Sequence, residues 1–136
     1  MHLIDSIIQF HSELQKIRRD IHTHPELCFE ENRTADMIAK KLTEWDIPIL
    51  RGMGVTGVVG IIKNGNSNRA IGLRADMDAL PVQEINSFPH VSQHAGKMHA
   101  CGHDGHTAML LGAAHYLSQH RNFDGTVYVI FQPAEE

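Results

Sequence analysis

The sequence predicts an α/β fold in which a mixed sheet is flanked by helices. Three observations support this prediction. Two amphipathic helical patterns open the chain, three short and largely apolar segments follow, and a further helical pattern separates the last two of those segments. A helix between two apolar strands is typical of a strand–helix–strand crossover. At 136 residues the chain fits one domain, residues 1–136.

The first helical pattern covers about residues 4–22, where isoleucine and leucine recur at helical spacing. Pro25 prevents this helix from continuing. The second pattern covers roughly residues 32–45 and stops before Pro48. Each helix has one apolar face, so we expect both helices to pack that face against a sheet.

The strands are predicted at residues 55–62, 70–75 and 126–131. The polar loop 64–68 joins the first two, and we expect that pair to form an antiparallel hairpin. The helical pattern at 107–119 then leads into the third strand, which has the uniform apolar composition of a buried strand.

Composition excludes several classes of protein. Hydrophobic residues make up 42% and charged residues 21% of the chain, as in ordinary globular proteins. The net charge of −4, with lysine and arginine scattered, argues against a nucleic-acid partner. The first residues do not resemble a signal peptide, and no segment approaches the ~20 apolar residues that span a bilayer. We therefore expect a cytoplasmic protein without a membrane partner.

Cysteine and histidine indicate chemistry. The two cysteines, Cys28 and Cys101, are too few for a disulfide framework, so a reactive or ligating thiol is favoured. Histidine is unusually abundant, with 11 residues, and several of them cluster between positions 90 and 106. Such a concentration indicates metal binding or proton transfer.

The strongest local pattern is Cys101-Gly102-His103. If this segment is extended, both side chains point the same way and offer ligands suited to zinc or a similar divalent ion. The alternative is that Cys101 is a small buried hydrophobe. Asp104 could orient His103 or cap the helix that follows, and these two roles compete.

Acidic residues follow two of the predicted strands. Glu135 and Glu136 could supply one metal ligand and one general base, provided that Pro133 bends the backbone; otherwise they are solvated surface residues. Asp76 and Asp78 follow the strand 70–75, where ligands of open α/β sheets gather, or else they form a turn.

Two further candidates lie near the first helix. Cys28 has no partner motif nearby, and we interpret it as a packing residue. His22 and His24 remain undecided between structural and functional roles.

Five segments, in order along the chain, resemble the aminoacylase and hippurate hydrolase group of dinuclear metallo-amidohydrolases. They are RRDIHTHPEL, GVVG, RADMDALP, MHACGHDGHT and FQPAEE, at residues 18–27, 57–60, 74–81, 98–107 and 131–136. By this resemblance the fold is the N-terminal portion of a zinc-peptidase-like catalytic domain. The implied activity is hydrolysis of the amide bond of N-acyl amino acids, such as hippurate.

The resemblance also implies roles for individual residues. Cys101, His103 and Glu136 correspond to metal ligands, with Cys101 bridging two divalent ions, which could be zinc, manganese, cobalt or nickel. Glu135 corresponds to the general base that drives the hydrolysis. Asp78 corresponds to an aspartate that supports the metal site without binding the metal.

The resemblance leaves three questions open. Related peptidases carry a histidine ligand near Asp76, so metal contact by Asp76 is undecided. Members of the family, which are often homo-oligomers, continue well beyond the FQPAEE segment with further ligands. We therefore expect this chain to be inactive or impaired. We also expect its final strand to expose unpaired edges and an apolar face that promote self-association.

Two other functions compete with the hydrolase. One is a metal-binding remnant without catalysis. The other is a thiol-redox protein using Cys101, which is less favoured because no Cys-x-x-Cys pair exists.

Overall fold

The computed structural model describes residues 4–136, which form three helices and four strands. The elements in chain order are α1 (Asp5–Thr23), α2 (Asn32–Glu44), β1 (Ile49–Met53), β2 (Gly57–Asn64), β3 (Ala70–Asp76), α3 (His103–Gln119) and β4 (Gly125–Gln132). The predicted α/β class is confirmed. Among the described residues, no helix is both long enough and apolar enough to cross a membrane.

The four strands form one mixed sheet with the order β1-β2-β4-β3. β2 pairs antiparallel with β1 and with β4, whereas β3 and β4 are parallel and are joined through α3. This parallel pair confirms the predicted crossover. β1 had not been predicted, because Arg51 and Gly52 interrupt its apolar pattern.

The predicted hairpin between residues 55–62 and 70–75 is wrong, because β4 lies between β2 and β3. The connection between these strands is held at the start of β4 instead. There the side chain of Asp124 accepts hydrogen bonds from the backbone N–H groups of Asn66 (2.8 Å) and Ser67 (2.9 Å). The loop therefore spans the width of one strand and leaves room for β4.

The helices pack on one face of the sheet. The hydrophobic core lies between the helices and the sheet. It includes large side chains with almost no exposed surface: Ile21, Ile38, Leu42, Leu111, Val129 and Phe131. Residues that alternate with these along the strands lie on the opposite face, where Leu50 and Tyr128 are exposed. The predicted exposed apolar face is therefore present.

The expected unpaired edges of the final strand are absent, since β4 has a hydrogen-bonded neighbour on each side. The sheet edges in residues 4–136 belong to β1 and β3. β1 has only five residues and an irregular register with β2, and short or irregular edge strands limit edge-to-edge association. The apolar face, rather than β4, is thus the feature that would promote self-association.

The fold brings three chain segments to one end of the sheet. β3 and β4 are parallel and in register from Ala70 opposite Thr126 to Asp76 opposite Gln132, so they end side by side. α3 begins at the same end, at His103 rather than at the predicted residue 107. Polar groups gather where these three segments meet.

Candidate metal and catalytic site

His103 lies at the centre of the site, and Asp78 orients its ring through contacts with Nδ1. The side chain is buried, and its Nδ1 is 2.9 Å from the carbonyl oxygen and 3.2 Å from Oδ1 of Asp78. A ring nitrogen between two acceptors must donate, which places the proton on Nδ1 and the lone pair on Nε2. Nε2 is therefore the nitrogen that can bind a cation.

Three carboxylates surround Nε2 of His103. The nearest oxygens of Asp76, Glu136 and Glu135 lie 3.6, 3.7 and 3.8 Å away. The sequence predicted that both glutamates reach one site only if the backbone bends after the strand, and it does bend: Ala134 adopts a left-handed conformation with φ of 51°. The bend lies one residue after Pro133.

Two buried carboxylates hold this bend. Glu31 accepts the backbone N–H of Ala134 (2.9 Å) and the hydroxyl of Thr56 (2.6 Å). Asp78 Oδ2 accepts the backbone N–H groups of Glu135 (2.9 Å) and Glu136 (3.0 Å). Because Asp78 also contacts His103, one side chain fixes the imidazole and both glutamates relative to one another.

The electrostatics of Asp78 match this structural role. Burial raises the pKa of Asp78, but the backbone N–H groups of Glu136 and Glu135 and the nearby His103 outweigh it, so the pKa lies below its ordinary value. The carboxylate therefore stays ionised and keeps accepting these hydrogen bonds at neutral pH.

Cys101 reaches the site through a turn. The segment is not extended as predicted, because Gly102 adopts a left-handed conformation with φ of 91° and His103 starts α3. Cys101 is exposed, which excludes its alternative role as a buried hydrophobe. A hydrogen bond with Glu136, together with burial and the charges of both glutamates, raises the pKa of the Cys101 thiol.

The chemistry of this donor set fits a divalent metal. One ligand atom each from Cys101, His103 and Glu136 lies within 4.8 Å of the others. Thiolate, imidazole and carboxylate together form a ligand set that zinc and neighbouring transition metals accept. A bound cation would also compensate the negative charge of the two glutamates beside it.

A second cluster shares His103. The ligand atoms of Asp76, His103 and His106 also lie within 4.8 Å of one another. Here, however, Asp76 already pairs with His106 Nδ1 (2.7 Å) and with Arg74 (2.8 Å). Burial raises the pKa of Asp76, but the contacts with His106, His103 and Arg74 together lower it by more. The pKa of Asp76 is therefore below its ordinary value. The single lone pair on Nε2 can serve only one of the two clusters at a time.

Other predicted residues lie elsewhere than expected. Asp104 neither orients His103 nor caps α3, since its Oδ2 accepts from His22 Nδ1 (2.8 Å) and Arg18 Nε (3.1 Å) on α1. The undecided His22 is thus a buried residue of a polar network. His24 contacts the carbonyl oxygen of Asp20 on its own helix, 2.8 Å from Nδ1.

The interpretation of Cys28 as a packing residue is wrong. Its Sγ lies 3.7 Å from Asp78 Oδ2 and 3.8 Å from the carbonyl oxygen of Glu136, at the margin of the site. Burial and the negative charge of Asp78 raise the pKa of this thiol. Cys28 is therefore a neutral hydrogen-bond donor to the site at neutral pH.

Sequence reasoning missed Glu31, Glu84 and His99, all of which are buried. Glu31 is adjacent to Glu30 and Glu84 stands alone, and neither glutamate belongs to a motif that would distinguish it from a surface residue. His99 lies two residues before Cys101, and burial lowers its pKa to about 4. The ring is consequently neutral at physiological pH.

Comparison with known proteins gives consistent matches. Residues 72–136 match the family described as peptidase family M20/M25/M40. A hippurate hydrolase of Campylobacter jejuni is 52% identical over 136 residues, which are 100% of this chain and 35% of that protein. An N-acetylcysteine deacetylase of Bacillus subtilis is 49% identical over 129 residues, covering 93% of this chain and 34% of that protein.

The fold matches as well. The crystal structure of a dinuclear metal binding peptidase from the M20 family of Bacillus subtilis superimposes with a TM-score of 0.89 and 48% identity. That match covers 93% of this chain and 36% of the other. The chain thus spans about a third of the length of the relatives it matches.

Proposed function

Because residues 72–136 match peptidase family M20/M25/M40 and the whole chain is similar to a hippurate hydrolase, we propose that it forms the metal-binding part of an amidohydrolase of this family, which hydrolyses the amide bond of N-acyl amino acids. The observation that carries this proposal is the convergence of Cys101, Glu135 and Glu136 around the free Nε2 of His103. The names of the hippurate hydrolase and N-acetylcysteine deacetylase relatives support the substrate class.

Cys101, His103 and Glu136 would hold a divalent ion, and the likeness to a dinuclear metal binding peptidase supports a second ion in the same site. Zinc, manganese, cobalt and nickel all suit these donors. When bound, the ion supplies a Lewis acid that polarises the substrate carbonyl and lowers the pKa of water. The pairing of Asp76 with His106 and Arg74 argues that Asp76 stays outside this ligand set.

Glu135 is the proposed general base. Its side chain is 41% exposed, so a water molecule and a substrate can reach the carboxylate. The carboxylate takes one proton from the attacking water as the new C–O bond forms, and returns it to the nitrogen as the C–N bond breaks. Asp78 acts by position: it holds the backbone of Glu135 and the ring of His103.

We further propose that these 136 residues alone are impaired and turn substrate over only slowly. The cluster offers three protein donors, which is the number that holds one catalytic zinc ion, but too few for the two ions of a dinuclear site. A metal-binding role without catalysis is the second candidate, and the incomplete donor set for a second ion favours it. The proposed partner is a small N-acyl amino acid in the cytoplasm, and we expect the protein to form homo-oligomers.

The test combines metal analysis with a hydrolysis assay. The purified chain and a Cys101→Ala variant are loaded with zinc or manganese, dialysed and analysed for bound metal. Hippurate hydrolysis is then followed for the wild-type chain and for Glu135→Gln. We expect Cys101-dependent metal binding and slow turnover that Glu135→Gln abolishes. Metal binding without turnover supports the non-catalytic candidate. Equal metal content in both proteins would refute the proposal.

A further inference from the structure

A buried network of polar side chains connects α1 to the two chain segments that carry the proposed ligands. His22, near the end of α1, lies between two carboxylates. Its Nδ1 is 2.8 Å from Asp104 Oδ2, and its Nε2 is 3.1 Å from Glu84 Oε1. All three side chains are buried, so each depends on the others to satisfy its polar atoms.

The Asp104 end of the network holds the first turn of α3. Asp104 directly follows His103, and the residue before them, Gly102, contributes no side-chain cap. Helices usually fix their first turn with such a cap. Here Asp104 is anchored instead to His22 and to Arg18 Nε (3.1 Å), both on α1. The position of His103 is thereby tied to α1.

The Glu84 end of the network organises the long segment between β3 and α3. Glu84 accepts the backbone N–H of Ser92 (2.7 Å) and a side-chain N–H of Asn86 (2.9 Å). The same segment is closed by two reciprocal backbone hydrogen bonds of 3.0 Å between Leu80 and Met98. Met98 lies three residues before Cys101. Glu84 therefore stabilises the loop that delivers the thiol.

We infer that His22 is a positioning residue which, by bridging Glu84 and Asp104, sets the separation between the Cys101 thiol and the His103 imidazole. This inference rests on the proposed function in treating those two residues as ligands. Metal sites tolerate misplacement of ligands by only about 0.5 Å. Loss of the groups that orient metal ligands typically costs about 10–100-fold in metal affinity.

The test uses two variants and one control in the 136-residue chain. His22→Phe keeps a ring of similar size but removes both nitrogens, and Glu84→Gln keeps the shape while removing the charge. His24→Ala is the control, because His24 lies on the same helix end but bonds to a carbonyl of its own helix. Cobalt(II) affinity is measured by competition with a chromophoric chelator, and circular dichroism checks the fold.

We expect His22→Phe to weaken cobalt binding about 10–100-fold, Glu84→Gln to weaken it less, and His24→Ala to leave it within about twofold. A residue that only stabilises the fold would lower the melting temperature and leave the cobalt affinity of the folded protein unchanged. That result for His22→Phe and Glu84→Gln would overturn the inference. If His22→Phe does not fold, Glu84→Gln decides alone.

Hydrogen exchange without metal separates this inference from the proposed function. We expect Glu84→Gln and His22→Phe to accelerate amide exchange selectively in residues 98–106, and to leave α2 unchanged. Uniform acceleration, or none, counts against the positioning role. If the wild-type chain binds no cobalt through Cys101, the proposed function fails, and the exchange pattern still decides whether His22 couples the two segments.

Discussion

The two sides of His103 differ in how their charges are compensated. On the thiol side, formed by Cys101, Glu135 and Glu136, the one basic side chain of residues 4–136 within 4 Å of the glutamate carboxylates is His103, and its Nε2 carries a lone pair rather than a proton. On the carboxylate side, formed by Asp76 and His106, Asp76 is already paired with His106 and Arg74.

This difference indicates where a cation is favoured. On the thiol side, a divalent ion is attracted by negative charge that no other group compensates. On the carboxylate side, the ion must displace partners that Asp76 already has. Proximity of ligand atoms is similar in the two clusters, so charge compensation, rather than distance, distinguishes them.

The largest expected effect is on metal affinity. Cys101→Ala removes the thiolate, and we expect cobalt(II) affinity to fall about 100-fold or more, together with loss of the sulfur-to-cobalt absorption band. His106→Ala, the matched change on the carboxylate side, should alter affinity less than about threefold. Chelator competition measures both. The reverse ranking would assign the ion to the carboxylate side.

Asp78 and Asp76 provide a comparison of stability. Asp78→Ala leaves the N–H groups of Glu135 and Glu136 without their acceptor and removes one of the two acceptors of the His103 ring, so we expect a loss of about 3 kcal/mol in the free energy of unfolding. Asp76→Ala removes pairs with partly exposed partners and should cost about 1 kcal/mol. Urea denaturation tests this, and equal losses would contradict it.

The thiol side should also make metal binding depend on pH. Because the pKa of Cys101 is raised above its ordinary value of 9.0, the thiol is protonated between about pH 6 and 8 and must release a proton to the solvent on binding. Affinity for cobalt should therefore increase with pH, by about tenfold per pH unit from this proton. Cys101→Ala should flatten that part of the slope. Identical slopes for the two proteins would show that the ion does not meet a thiolate.

The smallest expected effect concerns the turn that separates the two ligands on the thiol side. Gly102→Ala forces an alanine into a left-handed conformation, which costs about 1–2 kcal/mol. Gly105→Ala is the control, since Gly105 is helical and open space surrounds it, and alanine there should stabilise by up to about 1 kcal/mol. Thermal unfolding of both variants provides the measurement. A neutral Gly102→Ala would show that the turn can adopt another conformation.

Sequence reasoning succeeded where neighbours along the chain determine the outcome. The crossover follows from a helix between two apolar strands, and it places the ends of β3 and β4 together. Cys101 and His103 are two residues apart, and Glu135 and Glu136 are adjacent. A bend after Pro133 was assumed for the two glutamates, and the structure has one; the segment of Cys101 and His103 was expected to be extended, and the turn at Gly102 brings both side chains to the site instead.

The remainder depends on residues far apart in the chain. Asp104 had two local roles available, yet its partner Arg18 is 86 positions away. Cys28 contacts the backbone of Glu136 across 108 positions. The strand order also depends on residues that are distant in the chain. β2 and β3 could have paired with each other, but β4 pairs with both of them and separates them. The local sequence of a strand does not determine which other strand it pairs with.

The central position of β4 has a consequence for how the protein reaches its native state. Within residues 4–136, β3 has a single strand neighbour, β4, and β2 keeps only β1 until β4 arrives. A ribosome therefore has to release residues 125–132 before the sheet can close. Until then the nascent polypeptide holds a two-stranded ribbon, and such ribbons are marginally stable. Assembly of the sheet should be cooperative once β4 has emerged, and chaperones would meet shorter nascent chains with their hydrophobic interior exposed.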